Sequence, residues 1–237
     1  NVSNGAKVTG SYAASNGTLT MNVKDGGYWI LKDAANTTSL YATSLADAAE
    51  DANAPAAGTL NVNGGRDKAH TGYIDMTERT QNLDIANFSG HETFIMAHKD
   101  DGTFTSGNVN IAKAETGSGL TLYTANNGID MTNKEQVTNT LNALANKAFY
   151  TEGNDAGKVK NLTGEVKIGE GLTASSQALQ TGKIAFSDTD GQGSLETGSV
   201  TPGVTPAPNP QPGTGTESPK IQEGEYETFV MKGARSA

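Results

Sequence analysis

One short pattern recurs along the chain: a glycine, any residue, then apolar, polar, apolar. It reads Gly17-Thr18-Leu19-Thr20-Met21, Gly58-Thr59-Leu60-Asn61-Val62, Gly72-Tyr73-Ile74-Asp75-Met76 and Gly107-Asn108-Val109-Asn110-Ile111. It returns as Gly164-Glu165-Val166-Lys167-Ile168 and as Gly182-Lys183-Ile184-Ala185-Phe186, the last with alanine in the polar slot. Period-two alternation puts both apolar residues on one face of a strand, and the glycine marks the turn before it. Shorter runs at Leu83/Ile85, Phe94/Met96, Leu120/Leu122 and Ile129/Met131 fit between them. From Leu60 to Ile129 the runs start at 60, 74, 83, 94, 109, 120 and 129. Such uneven spacing suits a β-solenoid, whose rungs tolerate turns of different lengths, better than a β-sandwich. No Asn-Gly pair joins two alternating runs as a two-residue hairpin.

One stretch changes period. Over residues 133–149 the apolar positions Val137, Leu141, Leu144 and Ala148 fall at i, i+4, i+7 and i+11, which predicts an amphipathic helix. Thr132 and Glu135 form a possible capping box at its start. A lone helix among strands is expected to cover the side or end of the solenoid, where a bare edge would invite aggregation.

The composition fits a thin core. Hydrophobic residues are 35%, aromatics 6% and mean hydropathy −0.48, against 29 glycines. That supports many short strands joined by polar turns rather than a thick globular core. From residue 198 the texture shifts: of seven prolines, six lie at 202, 206, 208, 210, 212 and 219, among Gly, Thr and Ser. This predicts a solenoid over 1–197, a linker over 198–219 and a new segment over 220–237. No apolar run approaches the ~20 residues of a membrane helix.

Several functions lose support at once. A net charge of −9, with Lys and Arg scattered, gives no basic stripe for nucleic acid. With no cysteine, disulfides, thiolate metal sites and cysteine nucleophiles are excluded. A chain without cysteine also suits export through an outer membrane, since no premature disulfide can block threading. His91-Glu92 lacks a second histidine at 95, where Ile95 stands, so a two-histidine zinc site is not formed. His70, His91 and His98 read as surface or turn residues. Asp188-Thr-Asp-Gly-Gln-Gly193 has acids at the first and third positions of a calcium loop. Ser199, however, stands where the bidentate glutamate belongs, so a plain turn is expected. Glu50-Asp51, Asp100-Asp101 and Asp188/Asp190 are carboxylate pairs of the kind glycan-cleaving enzymes use, yet all read as solvated turn charges. Tyr28 and Trp29, with Tyr41 in a later rung, are a possible ligand-stacking platform; a buried core tryptophan is the competing reading. No catalytic residue, cofactor or metal ligand is nominated.

A family resemblance rests on phrases. Asn82-Leu-Asp-Ile-Ala-Asn-Phe-Ser-Gly90, Thr93-Phe-Ile-Met96, Gly119-Leu-Thr-Leu122, Asn127-Gly-Ile-Asp130 and Leu141-Asn-Ala-Leu-Ala-Asn-Lys147 are among them. So are Asn161-Leu-Thr-Gly164 and Glu170-Gly-Leu-Thr-Ala174. Together these resemble the region that precedes the translocator barrel in Gram-negative autotransporter passengers. The ending, Tyr226-Glu-Thr-Phe-Val-Met-Lys-Gly-Ala-Arg-Ser-Ala237, resembles the approach to the helix that threads that barrel. The resemblance implies a right-handed parallel β-helix displayed at the cell surface as a stalk or adhesin, with no enzymatic activity. It also implies a C-terminal part that aids passenger folding. The implied partners are the chain's own translocator barrel and a surface glycan or protein. An extracellular polysaccharide-acting β-helix enzyme and a β-sandwich binding module are the alternatives.

Overall fold

The computed structural model describes residues 1–12, 17–34, 58–152, 160–171, 178–202 and 226–228. Strands dominate, and the described residues contain one α-helix. In chain order the elements are β1 (Lys7–Gly10), β2 (Thr18–Asn22), β3 (Tyr28–Leu31), β4 (Thr59–Asn63), β5 (Gly72–Asp75), β6 (Leu83–Ser89) and β7 (His91–Met96). They continue with β8 (Val109–Ala114), β9 (Ser118–Ala125), α1 (Lys134–Ala145), β10 (Ala148–Tyr150) and β11 (Leu162–Gly169). The last four are β12 (Ala178–Phe186), β13 (Gly193–Leu195), β14 (Thr201–Pro202) and β15 (Tyr226–Thr228).

The chain deals its strands alternately into two sheets. One runs β13-β12-β11-β9-β7-β5-β3-β1-β15, with β14 beside β12; the other runs β10-β8-β6-β4-β2. From β1 to β11 every pairing is parallel and joins a strand to the one two places along the chain. Neither sheet closes on itself. Register stacks like residues. Val8, Trp29, Ile74, Phe94, Leu122 and Val166 form one continuous inward column on the long sheet. Met21, Val62, Phe88 and Ala114 form its counterpart on the short sheet, beside Leu83-Val109-Ala148 and Ile85-Ile111-Tyr150. These columns meet in a single apolar cluster. Burying each large side chain there contributes roughly 1.5–3 kcal/mol before entropy is counted.

The last third departs from the expected parallel stack. β12 runs antiparallel to β11, and β13 and β14 run antiparallel to β12. Gly164 and Gly182 therefore lie inside strands rather than in the turns before them. A β-carbon on Gly182 would stand 2.5 Å from Leu195 Cδ1, so a larger residue there would have to push that side-chain tip aside. The sheet also continues through Thr201–Pro202, past the expected boundary at 197. The rest of the 198–219 linker, and 220–237 apart from β15, lie outside the described residues.

α1 is shorter than the predicted 133–149 and starts on another cap. Asn133, not Thr132, is the N-cap and accepts from Gln136 N–H; the Thr132 hydroxyl donates instead to Asp130 at 2.6 Å. Val137, Leu141 and Leu144 face the core as expected. Ala148 is buried too, but in β10, where it pairs with Val109. The helix rests on β9, β11, β12 and β13 at the antiparallel end of the long sheet. Asn142 Oδ1 accepts from Leu195 N–H there, and the Asn146 carbonyl accepts from Gln192. Ile129 and Met131, expected as a strand, form the turn leading into this helix.

Candidate functional site

Successive residues of a strand point to opposite faces, and β3 shows the consequence. Trp29 faces inward with no exposed surface, its indole edge against Tyr12 and its Nε1 donating to the Gly10 carbonyl at 3.3 Å. Tyr28 faces outward and stacks on Tyr73 of β5, ring centroids 4.8 Å apart. The two rings thus cannot form one platform. Tyr41, the third residue of the predicted set, lies outside the described residues.

The outer face of the long sheet nonetheless carries an ordered apolar group. Tyr28, Tyr73, Ile95 and Tyr123 form a second cluster separate from the main core. Tyr28 and Tyr73 are each 8% exposed, so their ring faces are not open for a stacked ligand. Tyr123 donates through its hydroxyl to the Gly171 carbonyl at 2.9 Å. Farther along this face Glu165 collects Lys68 at 3.3 Å, Lys167 at 3.4 Å and the Thr121 hydroxyl at 3.0 Å. Burial pushes the Glu165 carboxyl up, but the two ammonium groups and the hydroxyl outweigh it and hold the group below the usual range. This cluster is a satisfied group of ion pairs.

The carboxylates weighed from sequence are tied up in turns. Asp101 accepts from Thr103 N–H at 2.9 Å, and that donor holds its carboxyl below the ordinary range. Asp188 meets Lys160 at 2.9 Å, and Asp190 accepts from Gln192 N–H. Glu50 and Asp51 lie outside the described residues. Among the described residues no group of three His, Asp or Glu side chains could hold a metal ion. No described helix is long and apolar enough to cross a membrane. An open polar cleft of about 550 Å³ separates the Asp101–Thr103 turn from α1, with Asn133, Gln136, Asn139 and Thr140 on its other wall. Its lining offers hydrogen bonds without an aromatic face.

Two buried polar groups escaped the reading of the sequence. His98, expected at the surface, is 9% exposed, with Nδ1 and Nε2 each 2.7 Å from a backbone carbonyl, those of Lys99 and Ala125. Glu92 is 1% exposed, and neither carboxyl oxygen has a hydrogen-bond partner among the described residues. Only alternation could have flagged Glu92, since it shares the inward parity of Phe94 and Met96.

No family model, curated protein or solved structure matches this chain.

Proposed function

We propose that the chain is a surface-displayed segment of an autotransporter passenger, a right-handed parallel β-helix acting as stalk or adhesin. The observation that carries this reading is the alternation of successive strands between two parallel sheets, in register from β1 to β9. A chain that coils about one axis produces such an order, and each coil needs only its neighbours for stability. Parallel crossovers are right-handed in nearly all proteins. The phrase resemblance to passengers over residues 58–237 supports the same reading.

The antiparallel strands and α1 suit the role of a terminal unit that aids folding. They cover one end of the parallel stack, and rung-by-rung growth from such an end opposes back-sliding through a translocator. Adhesion to a surface glycan or protein is the activity this architecture serves, and the partner that anchors it is its own translocator barrel.

Surface display is the test. An epitope inserted at Gly102, in an exposed turn with open space around it, leaves the core untouched. Cells expressing the complete gene should bind the epitope antibody while intact. Labelling only after permeabilisation would sink the proposal. Deleting residues 133–190 should lower display and protease resistance of the upstream strands; unchanged values would remove the folding role alone.

A further inference from the structure

β7 sits near the middle of the long sheet, flanked by β5 and β9. Glu92, its second residue, points inward. In register it lies between Gly72 and Leu120, neither of which can ionise. The inward residues of the short sheet, among them Leu60, Val62, Leu83, Ile85 and Phe88, are buried and apolar. His91 belongs to the other face, its Nδ1 against Gly119, and Asp75 is occupied by Thr77. Among the described residues no charged side chain acts on the Glu92 carboxyl. Gly72 N–H is the donor turned toward it, without reaching hydrogen-bond geometry.

We propose that Glu92 makes β7 a proton-tightened lock, in which the folded chain holds most firmly when this carboxyl carries its proton. The direction for Glu92 follows from linkage. Burial pushes its carboxyl well above the ordinary 4.5. The folded state therefore keeps a proton that the unfolded chain releases above that value. The stabilising contribution is complete below 4.5 and is lost as pH climbs toward the folded value. A chain exposed to mild acid would thus stiffen around β7, and the same coil would loosen as the medium turns alkaline. The inference rests on this one buried side chain and not on the proposed cell-surface role.

Chemical denaturation of the full chain at about pH 5 and about pH 7 tests it, with Glu92→Gln and Glu92→Leu alongside. The unfolding constant of the natural chain should rise by up to roughly tenfold per pH unit more than that of either variant. Glu92→Leu extends the Leu120 column, so it should fold at least as firmly at about pH 7. Equal pH slopes in all three proteins overturn the lock.

Discussion

Asn63 of β4 donates through Nδ2 to Asn22 Oδ1 on β2 at 2.9 Å, and its own Oδ1 accepts from Ser89 of β6 at 2.7 Å. Three parallel strands are thereby tied at one register position by side chains as well as backbone. The same device recurs where Asn87 donates to Asn61, and where Asn110 donates to Asp84. Asn63→Ala breaks two of these bonds and leaves half-buried partners unpaired. We expect a loss of about 1–2 kcal/mol in chemical denaturation. Asn87→Ala, on the more exposed rung, should cost less than about 1 kcal/mol.

Arg79 holds together two loops remote in sequence. It is 4% exposed and donates to the carbonyls of Gln81 at 3.0 Å, Lys32 at 2.9 Å and Asn82 at 2.7 Å, with its guanidinium over the Tyr12 ring. Burial lowers its proton affinity, but the negative groups Asp33 and Asp84 nearby favour the cation. Arg79→Met would remove all three hydrogen bonds of this buried guanidinium and should cost about 3 kcal/mol. Arg79→Lys should recover only part, because a compact ammonium cannot reach three acceptors set for a planar fork. Thermal unfolding of both variants checks the order natural chain, Lys, Met.

Gly72 and Gly102 separate two reasons for glycine. A β-carbon at Gly72 would lie 2.0 Å from the Val23 carbonyl oxygen, which is backbone and cannot step aside. Gly72→Ala should therefore cost about 3 kcal/mol or prevent folding, through overpacking of the corner. Gly102 has open space around it but a φ of +87°. Gly102→Ala should cost only about 1–2 kcal/mol, the strain of a left-handed backbone. Comparable losses at the two positions would contradict this division.

Much of this architecture was legible because its signals are local. Leu60/Val62, Phe94/Met96 and Val109/Ile111 announce strands through a two-residue period, and Val137, Leu141 and Leu144 announce the helix through theirs. Period two, however, is the same for parallel and antiparallel partners, so the reversal at β12 leaves no mark in the alternation of Ile184 and Phe186. Ala148 continued the helical spacing by coincidence, and its pairing with Val109 decided the matter. Tyr28 and Trp29 were grouped as neighbours in sequence, although strand geometry sends adjacent side chains to opposite faces. The burial of Glu92 and His98 depends on what β5, β9 and the short sheet bring over them, which no neighbouring residue encodes.

The pairing of β15 with β1 gives the last expectation. β1 would otherwise present an open parallel edge, the kind of surface that recruits other chains. Tyr226–Thr228 lies along that edge with Lys7 opposite Tyr226, Val8 opposite Glu227 and Thr9 opposite Thr228. The chain has no cysteine, so any disulfide in a double variant must come from the introduced pair. Cysteines at positions 9 and 228 stand opposite each other in register, at a separation a disulfide can span. Oxidised Thr9→Cys/Thr228→Cys should therefore give one monomeric, internally linked species. Thr9→Cys/Tyr226→Cys, two residues out of register, should close far more slowly. Disulfide-linked dimers from the first pair would mean that the edge takes its strand from a second copy, and equal closure of both pairs would mean that no register holds the segment there.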